Sequence, residues 1–230
     1  MSDKNYIVLG RRKWNTSVFD VTIKTLPGKW FYIDNTAELT YDLVSRINPK
    51  YLFFLHWSWK VPEEIIQNFE CVCFHMTDVP YGRGGSPLQN LIERGHRETK
   101  LTALRMAKDY DAGPVYLKRD LSVEGNAEEI YIRAANLSAE MISFIITNEP
   151  KPKPQTGDVV VFKRRKPEQS EILKKSSLLE LYDHIRMLDA EGYPKAFLIH
   201  EGFRYEFDRA AFYDGKIQAD VMITKNEEGS

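Results

Sequence analysis

A chain of 230 residues with 43% apolar and 12% aromatic side chains can bury a normal core, which excludes an intrinsically disordered protein. Its formal net charge of −1 lacks the basic surplus with which proteins grip nucleic acid through phosphates, so no nucleic-acid partner is expected. Residues 1–5 lack the basic-then-apolar plan of a signal peptide, and no apolar run approaches the roughly 18 residues of a membrane span; a soluble, cytoplasmic protein with no membrane partner is expected.

Through the first 150 residues, short apolar runs alternate with amphipathic stretches. Strands are predicted over 6–10, 30–34, 51–56, 71–75 and 101–106, with helices over 14–25, 39–48, 62–69 and 87–95 between them. Thr40 suits a helix N-cap, and Pro62 and Pro87 suit helix starts. Strand and helix in alternation imply an α/β fold with a mainly parallel sheet covered on both faces. Cys71 and Cys73 lie two apart on one strand and read as small buried hydrophobes, because no further ligands sit at metal spacing; no metal is expected.

A long helix over 126–147 follows, with Ile130, Ala134, Leu137, Met141 and Ile145 forming a core-facing stripe. Pro150-Lys-Pro-Lys-Pro154 then forbids regular helix and keeps the chain extended, so a boundary is expected there, between a domain of 1–150 and a smaller one of 151–230. Beyond it come an apolar run at 159–162, a basic run Lys163–Lys166 expected to be solvated, a helix at 176–188 and strands at 196–200, 203–208 and 217–223. These read as a small α+β appendage.

The chemistry-bearing residues gather where ligands bind in such sheets, beyond the carboxyl ends of the strands. His75 ends the fourth strand, just before a loop, Thr77–Pro87, holding three glycines, two prolines and Arg83. A neutral imidazole there can take a proton from an attacking amine, and Asp111, in the turn Asp111-Ala112-Gly113, can orient the ring and favour the imidazolium. Arg83 is a natural anion holder. His56-Trp57-Ser58-Trp59 ends the third strand, where two tryptophans either stack a flat heterocycle or seal the sheet edge. After the first strand, Gly10-Arg11-Arg12-Lys13 is no GxGxxG, which argues against a dinucleotide fold of the NAD type; its basic residues either hold phosphates or form a solvated face.

In this order the residues resemble the folate-dependent formyltransferases. Cys73-Phe74-His75 stands where that family has Asn-x-His, Thr77–Gly84 stands for its Ser-Leu-Leu-Pro loop, and Asp109–Gly113 for its Asp-x-Gly turn. The tail segments Arg164–Glu168, Ile185–Asp189 and Tyr193–Phe197 look like those of nucleotide-sugar N-formyltransferases, nearest the branch acting in pseudaminic acid biosynthesis on a UDP-linked 4-amino-4,6-dideoxy sugar. The resemblance implies a Rossmann-like catalytic domain with a small C-terminal domain, N10-formyltetrahydrofolate as cosubstrate, and the amine of a nucleotide-linked amino sugar as acceptor.

Carried over residue by residue, it implies His75 and Asp111 as the catalytic pair. Folate would lie against Trp57, Ser58, Trp59, Val61 and Pro62, with Asp109 and Tyr110 closing the other side. Arg83, Gly84 and Arg11 would bind the substrate, and a homodimer through the C-terminal part is a further expectation. The family's asparagine is replaced by Cys73, whose thiol is a weak donor, so either protonated His75 alone supports the charge on the formyl oxygen or another donor, His56, Gln89 or Asn90, moves in. A methionyl-tRNA formyltransferase would share this site, but the near-neutral charge, the small C-terminal part and the lack of a basic insertion in the loop region argue against tRNA; a formyltetrahydrofolate hydrolase and a non-catalytic nucleotide-sugar binding module are further alternatives. A glycinamide ribonucleotide formyltransferase is disfavoured, since it needs a phosphate loop after the first strand and no appendage.

Overall fold

Tyr6–Leu9, Leu52–Phe54 and Cys71–Phe74 are apolar without alternation, as a strand covered on both faces requires. In the computed structural model, which describes residues 4–226, the first half of the chain runs β1 (Asn5–Leu9), α1 (Lys13–Val21), β2 (Lys29–Ile33), α2 (Tyr41–Ile47), β3 (Tyr51–Phe54), α3 (Glu63–Asn68), β4 (Cys71–His75) and β5 (Tyr81–Gly84). It continues through α4 (Pro87–Glu93), β6 (Glu98–Arg105), β7 (Val115–Ser122), α5 (Ala127–Asn148) and β8 (Val160–Phe162). The chain closes with α6 (Leu178–Arg186), β9 (Ala196–His200), β10 (Phe203–Tyr213) and β11 (Lys216–Lys225).

Two compact units interleave along this order. The first takes the described chain through Gly84, then Thr99–Leu121 and Ile132–Val161; the second takes Gly85–Glu98, Ser122–Tyr131 and the chain from Phe162. The proline-rich stretch expected to be a boundary thus belongs to the first unit, for a reason visible in its backbone. Lys153 exchanges both backbone hydrogen bonds with Val115, at 2.7 and 2.8 Å, which stitches the segment to the start of β7.

In the first unit a six-stranded sheet has the order β2-β1-β3-β4-β6-β7. The pairs β1–β2, β1–β3 and β3–β4 are parallel, and β4–β6 is antiparallel. Ile7, Val8, Leu9, Leu52, Phe53 and Val72 are fully or almost fully buried, and Tyr6 stacks on Trp30 with ring centroids 4.6 Å apart. From β1 the chain crosses first to β2 and then back to β3 on the other side, so the strand order reverses between β1 and β3. The carboxyl ends of these strands open the crevice that a sheet of this kind uses for ligands. Cys71 is buried, with its thiol pushed up to about 12 by burial and by Glu70, while half-buried Cys73 is raised further, by burial and then by Asp111.

β5 and β7 were not anticipated. Lys118, Arg119 and Asp120 interrupt the apolar pattern of β7, which the sheet tolerates because β7 is an edge strand with one side open to solvent. In the second unit β9, β10 and β11 form an antiparallel sheet, and α6 begins at Ser177, whose hydroxyl accepts from Glu180 N. The basic run is only partly solvated: Arg165 is held by Glu93 at 3.0 Å and by the Gln169 carbonyl at 2.6 Å, leaving Lys163, Arg164 and Lys166 exposed.

Candidate active site

β4 delivers His75 at its carboxyl end, 7% exposed. Nε2 lies 2.7 Å from the Gly82 carbonyl, and a carbonyl only accepts, so Nε2 carries a proton. Thr77 Oγ1 donates to the same carbonyl at 3.2 Å. The other ring nitrogen, Nδ1, faces Asp111 Oδ1 at 3.5 Å. The other carboxylate oxygen, Oδ2, accepts from the Gly84 backbone N–H at 2.9 Å. Asp111 itself has φ +54°, a left-handed conformation that Asp tolerates at some cost and that recurs at functional sites.

The pairing expected from the sequence is therefore present. Nε2 is closed by the loop's own carbonyl, and Nδ1 looks at the carboxylate. Gly84, expected to bind substrate, instead supplies the donor that fixes Asp111. Arg83 is also committed: its Nε and Nη2 both reach Gln155 Oε1, at 3.0 and 2.8 Å.

At the end of β3 the chain turns through His56, whose φ is +49°. Burial, then the Arg12 charge, hold this imidazole down to about 4, so it is neutral at physiological pH. Trp57 packs edge-on against Phe54 and Trp59, and the Arg11 guanidinium lies 5.0 Å above the Trp59 ring. The Trp57 Nε1 is buried with no acceptor, an unmet donor beside an aromatic wall. Such a wall with one donor fits a flat heterocycle carrying carbonyl and ring-nitrogen acceptors, which is what a pterin offers. Arg11, expected on a substrate phosphate, thereby joins the Trp59 ring.

Ser58 is exposed, as are Asp109 and Tyr110, the latter 78%. Val61 packs into the core with Leu9, Ile33 and Ile65, and the Pro62 carbonyl accepts from Ile65 N and Ile66 N at the start of α3. These two act through packing and helix initiation, a role that proximity in sequence to the tryptophans does not reveal.

The substitutes for the missing asparagine divide clearly. Cys73 keeps its proton and gives it to the Leu104 carbonyl, 3.7 Å away. In the second unit, Gln89 Nε2 donates to Tyr131 Oη at 3.0 Å and to the Met187 carbonyl at 3.1 Å. Asn90 Nδ2 spans the carbonyls of Gly85, Ser86 and Lys163, and its Oδ1 accepts from Arg94. Both amides are spent on the fold, and His75 Nε2 is spent on the Gly82 carbonyl.

The tail motifs that pointed to an amino-sugar acceptor are structural as well. Arg186, 1% exposed, binds Asp183 at 2.6 Å and the carbonyls of Val123 and Gly125 at 2.7 and 2.8 Å. Asp189 accepts from Asn126, Lys195 and the Arg209 backbone. They hold the second unit together.

Residues 167–224 match the model of the methionyl-tRNA formyltransferase C-terminal domain. Over nearly its whole length the chain resembles the solved structure of a methionyl-tRNA formyltransferase from Clostridium thermocellum, with 47% identity, 97% of this chain and 100% of that chain covered, and a TM-score of 0.94. A methionyl-tRNA formyltransferase of Rickettsia massiliae is 29% identical over 127 residues, 53% of this chain. The match covers 42% of that relative, so the chain spans less than half its length. A 4-N formyltransferase from Francisella tularensis shares the fold at 17% identity, with 95% and 97% of the two chains covered and a TM-score of 0.65.

Proposed function

The chain belongs to the formyltransferase superfamily, and on that premise we propose that it moves a formyl group from N10-formyltetrahydrofolate to a primary amine, with methionyl-tRNA as the acceptor. The observation that carries the reaction class is the His75 Nδ1–Asp111 Oδ1 approach of 3.5 Å at the carboxyl edge of the sheet. Bound folate supplies the formyl carbon, whose bond to N10 is replaced by a bond to the acceptor nitrogen. The proton shed by the amine goes to Nδ1, where the Asp111 carboxylate stabilises the imidazolium, and returns from there to N10 of the departing tetrahydrofolate. General acid–base help of this kind contributes about 10²–10⁴ in rate. The Gly82 carbonyl, itself held by Thr77 Oγ1, engages Nε2 and leaves Nδ1 as the nitrogen facing Asp111. Trp57, Trp59 and Arg11 form the wall for the pterin.

The methionyl-tRNA reading is supported by the similarity to methionyl-tRNA formyltransferases and by the exposed Lys163, Arg164 and Lys166, a local basic strip that a near-zero net charge conceals. The net charge of −1 favours a second reading, a small nucleotide-linked amino sugar such as UDP-4-amino-4,6-dideoxy-L-AltNAc.

One experiment separates these readings. The purified protein is incubated with N10-formyltetrahydrofolate and either methionyl-tRNA or a panel of UDP- and dTDP-amino sugars, with mass spectrometry of the products. Formylmethionyl-tRNA formed only with folate present supports the proposal; a formylated sugar moves the acceptor to the second reading. Deformylated folate without a formylated acceptor identifies a hydrolase, and no reaction at all leaves a binding module. Asp111→Asn, which keeps the left-handed turn, is expected to lower kcat by about a hundredfold with folate affinity within about twofold. Wild-type turnover in that variant would remove the pair from the chemistry.

A further inference from the structure

The proline-rich stretch after α5 has the composition of a spacer, yet it ends on a side chain whose every hydrogen-bonding position is used. Gln155 Nε2 donates to the Asp111 carbonyl at 2.7 Å and to the Gly113 carbonyl at 2.8 Å. Its Oε1 accepts from Arg83 Nε at 3.0 Å and from Arg83 Nη2 at 2.8 Å. Two donors and two lone pairs are all that a carboxamide has, and all four are engaged. The partners also fix which end is which. Turning the amide over would set its NH₂ against a guanidinium and its oxygen against two carbonyls, so this orientation is the only one of the two that bonds.

The placement of Gln155 is itself over-determined. Pro150, Pro152 and Pro154 restrict the backbone ahead of it, and Lys153 is locked to Val115 by two backbone hydrogen bonds. The side chain thus reaches back from a fixed point to the turn that carries Asp111. That turn has a reason to need support: Asp111 sits at φ +54°, and a non-glycine residue there persists only where its surroundings hold it. Capturing the carbonyls on both sides of Ala112 holds the turn from its open side, while Gly84 N holds the carboxylate.

We propose that Gln155 is a positioning residue that sets the Asp111 carboxylate against His75 Nδ1 and ties that turn to the Arg83 loop. The inference rests on the reading of His75 and Asp111 as the proton-transfer pair. Gln155 touches neither His75 nor any reacting atom; it acts through Asp111, as outer groups hold the aim of inner ones in other sites.

The test needs no acceptor. The ring nitrogens of His75 are followed by ¹⁵N NMR in the wild-type protein, Gln155→Met, Asp111→Asn and the double variant, with thermal melts of each. Methionine keeps the length and neutrality of glutamine and removes its donors and acceptor; Gln155→Ala is carried beside it in case methionine packs badly. The Nδ1 resonance of Gln155→Met is expected to move toward its position in Asp111→Asn, and the double variant is expected to coincide with Asp111→Asn alone. A purely structural role would lower the melting temperature without moving that resonance, and would overturn the proposal. So would equal displacements in the presence and absence of the Asp111 carboxylate. If Asp111→Asn itself leaves His75 unmoved, the pair is refuted at its source, an outcome separate from failure of Gln155 alone.

Discussion

Gly113→Ala is the substitution that most directly tests how the Asp111 turn is built. A Cβ at Gly113 would stand 1.8 Å from the Arg105 carbonyl oxygen, whereas real Cβ atoms stay beyond 3.0 Å, so something must move by at least 1.2 Å. Neither side can yield cheaply. Arg105 N is hydrogen-bonded to the Pro114 carbonyl at 2.9 Å, immediately after the glycine, and the Gly113 carbonyl is held by Gln155 at 2.8 Å. Overpacking against fixed backbone costs about 1–3 kcal/mol or more. The displacement also reaches Asp111, two residues away, and a misplacement of about 1 Å at a reacting group can lower the rate about a hundredfold. Urea unfolding and steady-state turnover with the proposed acceptor give the two readings. Gly95→Ala is the control: its φ of +78° strains a side chain, but nothing lies within 4 Å of the new Cβ, so about 1–2 kcal/mol of stability is lost with turnover unchanged. Wild-type stability and rate in Gly113→Ala would refute the argument that this glycine exists to let the turn close on β6.

Acidification is expected to destabilise the fold through His56. Because the folded chain holds this group at about 4 against an ordinary 6.5, the unfolded chain takes up the proton first on acidification. The stability contribution is complete above pH 6.5 and is lost progressively toward pH 4, with a ceiling of about 3 kcal/mol at about 1.4 kcal/mol per pH unit. His56→Asn, which suits the left-handed backbone there, should flatten that part of the stability curve; an unchanged slope in urea titrations from pH 7 to 4 would dismiss His56 as its source. Trp57→Phe removes the buried, unmatched Nε1 while keeping a ring against Phe54 and Trp59. Tetrahydrofolate binding by calorimetry is expected to weaken about five- to tenfold, with no loss of thermal stability, and unaltered affinity would take the indole N–H out of the folate wall.

Most of the fold was legible because its strands are buried on both faces. Runs such as Ile7-Val8-Leu9 and Leu52-Phe53-Phe54 have no polar face to blur them, and the helix before the second of these begins at Thr40, whose hydroxyl caps it. The failures have the opposite character. β7 carries Lys118, Arg119 and Asp120 at the sheet edge, where no burial is required and hydrophobic period fails as a signal. The boundary expected at residue 150 rested on proline composition, and composition describes how freely a segment bends in isolation, not what its backbone is bonded to. Lys153 and Gln155 make that segment part of the first unit.

The site divides along the same line. His75 and Asp111 could be found because a polar residue at the end of an apolar strand and an Asp-x-Gly turn are visible in one dimension. Their mutual geometry could not, since it depends on a carbonyl, Gly82, that no side-chain pattern announces. The amides were misread for a related reason: Gln89 and Asn90 have the right chemistry to support an oxyanion, but a carboxamide serves either a substrate or the backbone according to what lies within about 3 Å. Here the backbone takes both, and the thiol of Cys73 is spent on Leu104. On the proposed mechanism, with those donors withdrawn, the imidazolium that forms at His75 during transfer is the charge left to support the formyl oxygen. Loss of the Asp111 carboxylate that stabilises it should therefore cost more in this chain than in relatives with the asparagine, and restoring Cys73→Asn should recover part of the turnover lost in Asp111→Asn. No recovery in that double variant, with the fold intact by thermal melt, would mean that the oxyanion draws its support from elsewhere.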